Sequence, residues 1–215
     1  MRANERSIAT PEEVAAIAAA MPEHLSAAVY VAAWSALRFG ELFALTRRNV
    51  DLSAGTLRVQ QSLNRSGAAT PFGLTKTRGS VRTVYLPRPV VELLAAHMRQ
   101  HTPLGPDALI FSAKSGRPIA NSNLSSSFSR ARATIGREDL TWHGLRHTGA
   151  TLAYRAGATV RDVQRRLGHT TTRAAMIYAH ISDESDRLIA ERLAATYGGS
   201  MATVVPLRPT GTNRA

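Results

Sequence analysis

A change of hydrophobic rhythm in the middle of the chain constrains the fold more than any other feature. Between Thr56 and Leu86 the helical spacing lapses: Leu57, Val59 and Gln61 alternate with polar residues, and Val81-Arg82-Thr83-Val84-Tyr85-Leu86 is β-branched and aromatic, with Gly73 and Gly79 as punctuation. A two-residue period in short runs separated by glycine is the pattern of strands joined by turns. A small antiparallel sheet is therefore expected here, closed by Pro87 and Pro89, which cannot donate to a ladder. On both sides of it the pattern is helical, so the fold class is mainly α with a small antiparallel β-sheet, an α+β domain.

The helices announce their ends. Thr10-Pro11-Glu12-Glu13 combines a capping Thr, a Pro at the first helical position and a Glu three residues after the cap, predicting a helix through Ala20. The Ala-rich run His24 to Leu37 has few polar residues and reads as a helix buried nearly all round, which brings Arg38 out at the edge of the core. Val90 to His101 resumes the helical pattern, and Asn121–Asn123 can cap a further helix to about Ile135. Helices are then expected over Gly144–Arg155, stopped by Gly157, and Thr159–Leu167, stopped by Gly168, followed by Arg173–Ala179 and Asp183–Tyr197. From Gly198 the chain is small and polar. The reading is one domain over residues 10–197, a leader of residues 1–9 and a flexible tail of residues 198–215.

With no cysteine, a disulfide framework, a thiolate-held zinc or iron–sulfur site and a cysteine nucleophile are excluded. The charge points to an anionic partner: Lys and Arg number 27 against 15 Asp and Glu, and only Lys76 and Lys114 among the 27 are not arginine. Guanidinium forks pair bidentately with phosphate and stay ionised when desolvated, which suits a nucleic-acid backbone. An Arg- and Ala-rich composition inherited from a GC-rich genome is the competing explanation of the same excess. The longest apolar run, Leu25 to Leu37, is too short for a membrane span, and Met1–Thr10 lacks the apolar region of a signal peptide. A cytoplasmic protein with no membrane partner is the expectation.

Four local features carry the chemistry: Leu37-Arg38-Phe39-Gly40-Glu41, Thr75-Lys76-Thr77-Arg78, His143-Gly144-Leu145-Arg146-His147, and Leu167-Gly168-His169 with Tyr178 nine residues on. Each taken singly has an ordinary reading. Arg38 and Glu41 have the spacing of a helical ion pair, and a hairpin lysine is commonly solvated. His143, Arg146 and His147 share one helical face; as zinc ligands the two histidines lack the Glu of H-E-x-x-H and sit beside a guanidinium that repels a cation.

In this order and at these separations the four features resemble the catalytic domain of the tyrosine recombinase (phage integrase) family, from about Thr10 to Arg192. The resemblance implies the integrase catalytic-domain fold and a site-specific recombinase that cuts and rejoins double-stranded DNA through a 3′-phosphotyrosyl intermediate, without metal, nucleotide or other cofactor. It implies Arg38 and Arg146 as the two catalytic arginines, Lys76 as the hairpin lysine, His143 and His169 as the active-site histidines, Tyr178 as the nucleophile and Glu41 as the supporting acid. It further implies self-association on DNA as a tetramer, leaves accessory DNA-bending proteins open, and fits a bacterial or phage-encoded origin. Family members commonly carry a DNA-clamping domain before the catalytic one; with ten residues ahead of the first helix, this chain reads as lacking it, either as an excised fragment or as a minimal member.

Elementary chemistry agrees with those roles. Negative charge grows on the non-bridging oxygens of a phosphodiester as a nucleophile adds, so two permanently charged forks stabilise the transition state more than the ground state. A phenol with an ordinary pKa near 10 needs a proton acceptor, for which His143 is the better placed, and the departing 5′ oxygen needs a donor, for which Lys76 is the choice. His169 reads as a hydrogen-bond donor to the same phosphate, and Glu41 as orienting Arg38 or a histidine. His147 and His180 read as packing or supporting residues, and Trp142 as a wall of the site. Two alternatives stand beside this reading. One is a type IB topoisomerase, which shares the chemistry; the other is a non-catalytic DNA-binding module, with Thr159–Leu167 and Arg173–Ala179 as a helix-turn-helix.

Overall fold

Thr10 starts the first helix as its spacing predicts. In the computed structural model, which describes residues 8–63, 72–74 and 81–168 together with Glu191 and Ala195, α1 covers Pro11–Ala20. The Thr10 hydroxyl accepts from the Glu13 N–H at 3.2 Å and the Glu13 carboxylate accepts from the Thr10 N–H at 2.8 Å. Such a reciprocal cap stabilises a helix by about 1 kcal/mol. The chain divides into two compact units, Met1–Ala179 and His180–Ala215. Every element named here belongs to the first; of the second, only Glu191 and Ala195 are described, both helical.

Helix α2, Glu23–Ser35, is the hub, packing against α1, α4 (Arg88–Gln100) and α6 (Trp142–Arg155). Its near-continuous apolar surface is buried, including Leu25, Ala28, Val29, Val31 and Ala33, as expected for a helix surrounded by others. It ends at Ala36, whose backbone is left-handed with φ 57°. That turn redirects the chain into the single-turn helix α3, Phe39–Leu42.

The β-patterned region forms two ladders. Strands β1 (Val50–Asp51), β2 (Thr56–Val59) and β5 (Arg82–Tyr85) make an antiparallel sheet in the order β1-β2-β5, while β3 (Gln61–Leu63) pairs separately with β4 (Phe72–Leu74). The single expected sheet is thus interrupted at Gln60, which lies between β2 and β3 and belongs to neither strand. In β5 the inward positions are Arg82 and Val84, and Tyr85 faces out at 66% exposure. β5 ends at Tyr85, ahead of the closing prolines as expected, and Pro87 stands at the N-cap position of α4, which begins two residues before the expected Val90.

Helix α5 covers Asn121–Ala133 and begins at the very asparagines read as its cap; Ala120 holds the cap position and makes no side-chain bond. Helix α6 begins two residues before the expected Gly144, because the Thr141 hydroxyl accepts the Gly144 N–H at 2.9 Å and caps it there. Helix α7, Val160–Leu167, starts one residue after the expected Thr159, whose hydroxyl caps it by accepting from the Asp162 N–H, and it has the expected Gly168 stop. Among the described residues no helix is long and apolar enough to cross a membrane. The leader's first seven residues, the expected helix Arg173–Ala179, the expected helix Asp183–Tyr197 apart from the two positions named, and the tail from Gly198 lie outside the described residues.

Candidate active site

The site is built on the end of α7. The last carbonyls of an α-helix have no partners within it and carry the negative end of its dipole. Here three successive carbonyls are taken by three different arginines. Arg82 donates from Nε to the Arg166 carbonyl at 2.7 Å, Arg146 from a terminal nitrogen to Leu167 at 2.8 Å, and Arg38 to Gly168 at 3.1 Å. Gly168 is required twice at this point. Its φ of 62° is left-handed, and a Cβ there would lie 2.9 Å from a terminal nitrogen of Arg82.

Each arginine arrives from a different element. Arg38 follows the left-handed turn at Ala36, Arg82 opens β5, and Arg146 lies one turn into α6. Arg146 also donates to the Ala36 carbonyl at 2.7 Å, so one guanidinium fastens the end of α2 to the end of α7. It is only 2% exposed. The Arg38 side chain is 43% exposed, so the two arginines read as equivalent phosphate forks differ in access.

Glu41, in α3, is the carboxylate of the cluster. It accepts from the Arg38 backbone N–H at 2.9 Å and the Arg38 side chain at 2.9 Å. It also accepts from both terminal nitrogens of Arg82, at 3.1 and 2.8 Å. Burial opposes its ionisation, but the hydrogen bonds and charges of Arg82 and Arg38 outweigh that and hold its pKa below the usual carboxylate value. Glu41 thus holds Arg38 by both its backbone and its side chain.

His143 lies in the first turn of α6 and is exposed. Partial burial first, then the charges of Arg146 and Arg38, lower its pKa from the ordinary histidine value, so at neutral pH it is an uncharged imidazole able to accept a proton. His147 packs edge-on against it with ring centroids 4.4 Å apart, and burial, then His143 and Arg146, bring its pKa down to about 4. Trp142 is buried in an aromatic cluster with Phe39, Phe43 and Phe128 at centroid separations of 6.1, 5.3 and 4.6 Å.

Residues 8–185 match the phage integrase family. The chain belongs to that family. An integrase of Mycobacterium phage L5 is 40% identical over 198 residues, covering 89% of this chain and 53% of the phage protein. This integrase-family chain thus spans about half the length of that relative. Two solved structures share its fold. XerA recombinase has a TM-score of 0.65 at 23% identity, covering 86% of this chain and 62% of that one. The Tn1549 transposon integrase has a TM-score of 0.70 at 22% identity, covering 89% of this chain and 67% of that one. The fold is that of the tyrosine recombinase catalytic domain, the class read from the sequence.

Of the predicted site residues of this integrase-family chain, Arg38, Glu41, His143 and Arg146 are brought together. Lys76, His169 and Tyr178 lie outside the described residues, as does His180. Sequence reasoning missed Arg82 and Arg166. Arg82 shares the inward face of β5 with Val84, which the strand pattern alone does not reveal for an arginine. Arg166 donates to the carbonyls of Trp34 and Tyr85, tying α7 to α2 and β5.

Proposed function

We propose that this chain is the catalytic part of a site-specific DNA recombinase that cuts and rejoins double-stranded DNA through a 3′-phosphotyrosyl intermediate. One observation carries the proposal: a cluster of arginines gathered around the end of α7, with the half-exposed Arg38 and the uncharged His143 at its accessible side. An arginine has five N–H donors. Two of those on Arg38 are engaged, by Glu41 and Gly168, which leaves three for a phosphate as far as the described residues go.

In the proposed reaction Tyr178 gives its proton to His143 while its oxygen attacks phosphorus. The bond to the 5′ oxygen breaks, and that oxygen leaves with a proton from Lys76. Arg38 and Arg146 stabilise the charge on the non-bridging oxygens, and His169, which follows Gly168 directly in the chain, donates to the same phosphate. The 5′ hydroxyl of a second strand then gives its proton to Lys76 and attacks the phosphotyrosine, while His143 returns its proton to the departing Tyr178 oxygen, so one phosphodiester is restored for the one broken. Bond number is conserved, so the step calls for neither a nucleotide nor an oxidant. A tyrosine carried by the same chain as Arg38 and Arg146 makes the attack intramolecular in the bound complex.

DNA as the partner is supported by the Tn1549 integrase, solved in complex with transposon right end DNA. Exchange between two duplexes breaks four strands, and one tyrosine per strand makes a tetramer on DNA the expected assembly. Such an enzyme acts where the chromosome is, in the bacterial cytoplasm. The test is covalent trapping on a duplex nicked near the cleavage point, which lets the leaving fragment diffuse away. The chain should form an adduct that persists in excess EDTA, and Tyr178→Phe should bind DNA but form none. Adduct from the Phe variant would overturn the nucleophile. DNA binding without any adduct would favour the non-catalytic module, and relaxation of supercoiled plasmid without strand exchange would favour the topoisomerase.

A further inference from the structure

We infer that Arg82 is a positioning residue of the strand-cleaving centre, clamping Glu41 against the end of α7 so that Arg38 presents its guanidinium to the phosphate. The inference rests on the function proposed above for what Arg38 does, and on geometry alone for what Arg82 does.

Arg82 stands at the first position of β5, opposite Val59 of β2, with only 8% of its surface exposed. The alternation of the strand would put an aliphatic residue there, as it does at Val84, and a desolvated guanidinium is costly unless its donors are matched. They are matched by two elements at once. Both terminal nitrogens reach Glu41, and Nε reaches the Arg166 carbonyl. One planar group therefore fixes the separation between α3 and the end of α7.

Arg38 is held between the same two places. It donates to Glu41 on one side and to the Gly168 carbonyl on the other. The contacts close a ring: Arg38, Glu41, Arg82 and the α7 terminus. A carboxylate offers about four lone-pair sites, and Arg38 and Arg82 fill them with two donors each. Remove Arg82 and half of that grip goes. Glu41 is then free to rotate, and a half-exposed arginine with several rotatable bonds follows it. Lysine is no substitute, because one ammonium cannot place three donors in a plane against two carboxylate oxygens and a carbonyl. Gly168 belongs to the same arrangement, since a Cβ at that position would meet the Arg82 guanidinium.

The experiment uses the full chain and four variants: Arg82→Met, Arg82→Lys, Arg38→Ala and the double variant R38A/R82M. Each is assayed well below its own melting temperature for cleavage of the nicked duplex and for duplex affinity. Arg82→Met should slow cleavage about a hundredfold, the usual scale for a misplaced catalytic group, while leaving the DNA dissociation constant within about twofold. Arg82→Lys should recover little of the rate. The double variant should cleave no more slowly than Arg38→Ala, because Arg82 acts only through Arg38. Losses that multiply in the double variant, or full recovery by lysine, would overturn the inference. A second readout does not depend on activity. A carbon-13 titration of the Glu41 carboxyl, assigned with Glu41→Gln, should move upward in Arg82→Met. An unmoved titration would overturn the inference. Absence of any adduct from the unaltered chain would overturn the proposed function and leave this titration to decide Arg82.

Discussion

At the scale of single residues, the two arginines that the sequence treats alike have different surroundings. Arg146 is buried and holds the carbonyls of Ala36 and Leu167, whereas Arg38 is half exposed and anchored on one side by Glu41. Charge stabilisation and proton donation can be separated by changing the leaving group. Replacing the bridging 5′ oxygen by sulfur gives a leaving group that needs no proton, so the cleavage defect of Lys76→Ala should largely disappear on that substrate while the defect of Arg38→Ala persists. Equal defects on both substrates would sink that division of roles. The proton acceptor has its own signature. The pKa of His143 is lowered by partial burial and by Arg146 and Arg38, and only the uncharged imidazole can accept from Tyr178. The rate should therefore hold below pH 6.5 and fall only as the pH drops through the lowered value. A pH–rate profile whose acid limb has its midpoint at or above 6.5 would remove His143 from that role.

At the scale of elements, the site depends on how closely α6 approaches α2. A Cβ at Gly149 would lie 2.4 Å from the Ala33 carbonyl oxygen and 2.9 Å from the Ala36 Cβ, so any side chain there drives the two helices apart. Gly149→Val should cost about 1–3 kcal/mol, lowering the melting temperature by several degrees in a domain of this size. It should also slow cleavage, since Arg146 lies one turn away and bridges the same two helices; an unchanged melting curve would contradict the packing. Local signals of this kind were legible where they are local. Thr10 and Gly168 marked helix ends because capping is decided by a residue and its near neighbours. Arg38, Glu41, His143 and Arg146 were legible through their motifs. Arg82 was not, because an arginine within a strand pattern reads as an outward residue, and only a carboxylate forty-one positions away in the chain makes it an inward one. The split of the sheet was hidden for the same reason: which strands pair is settled by contacts between distant segments. The start of α6 at Trp142 was missed although its cause, the Thr141 cap, is local.

At the scale of the whole molecule, the arginine excess has two uses, and they compete. The segment Arg130–Tyr178 holds nine arginines against three acidic residues, which on sequence alone makes a surplus of six for DNA. Several of the nine are committed inside the protein. Arg132 donates to the Leu140 carbonyl, Arg137 pairs with Glu13 and Asp139, and Arg146 and Arg166 hold backbone carbonyls. Of the other five, Arg173 lies outside the described residues, and Arg130, Arg155, Arg161 and Arg165 are exposed. If these are the ones that neutralise phosphates, about four counterions are released on binding, and log affinity should fall against log salt with a slope of about −3.6. That amounts to a loss of about a hundredfold between 50 and 200 mM salt. Discrimination between target-like and scrambled duplexes should be small, because phosphate contacts position a protein without reading sequence. Titrations on both duplexes across that range measure the slope. A value near zero would assign the excess to composition, and one near −5 would mean that about six phosphates are neutralised, so that arginines besides these four reach the DNA.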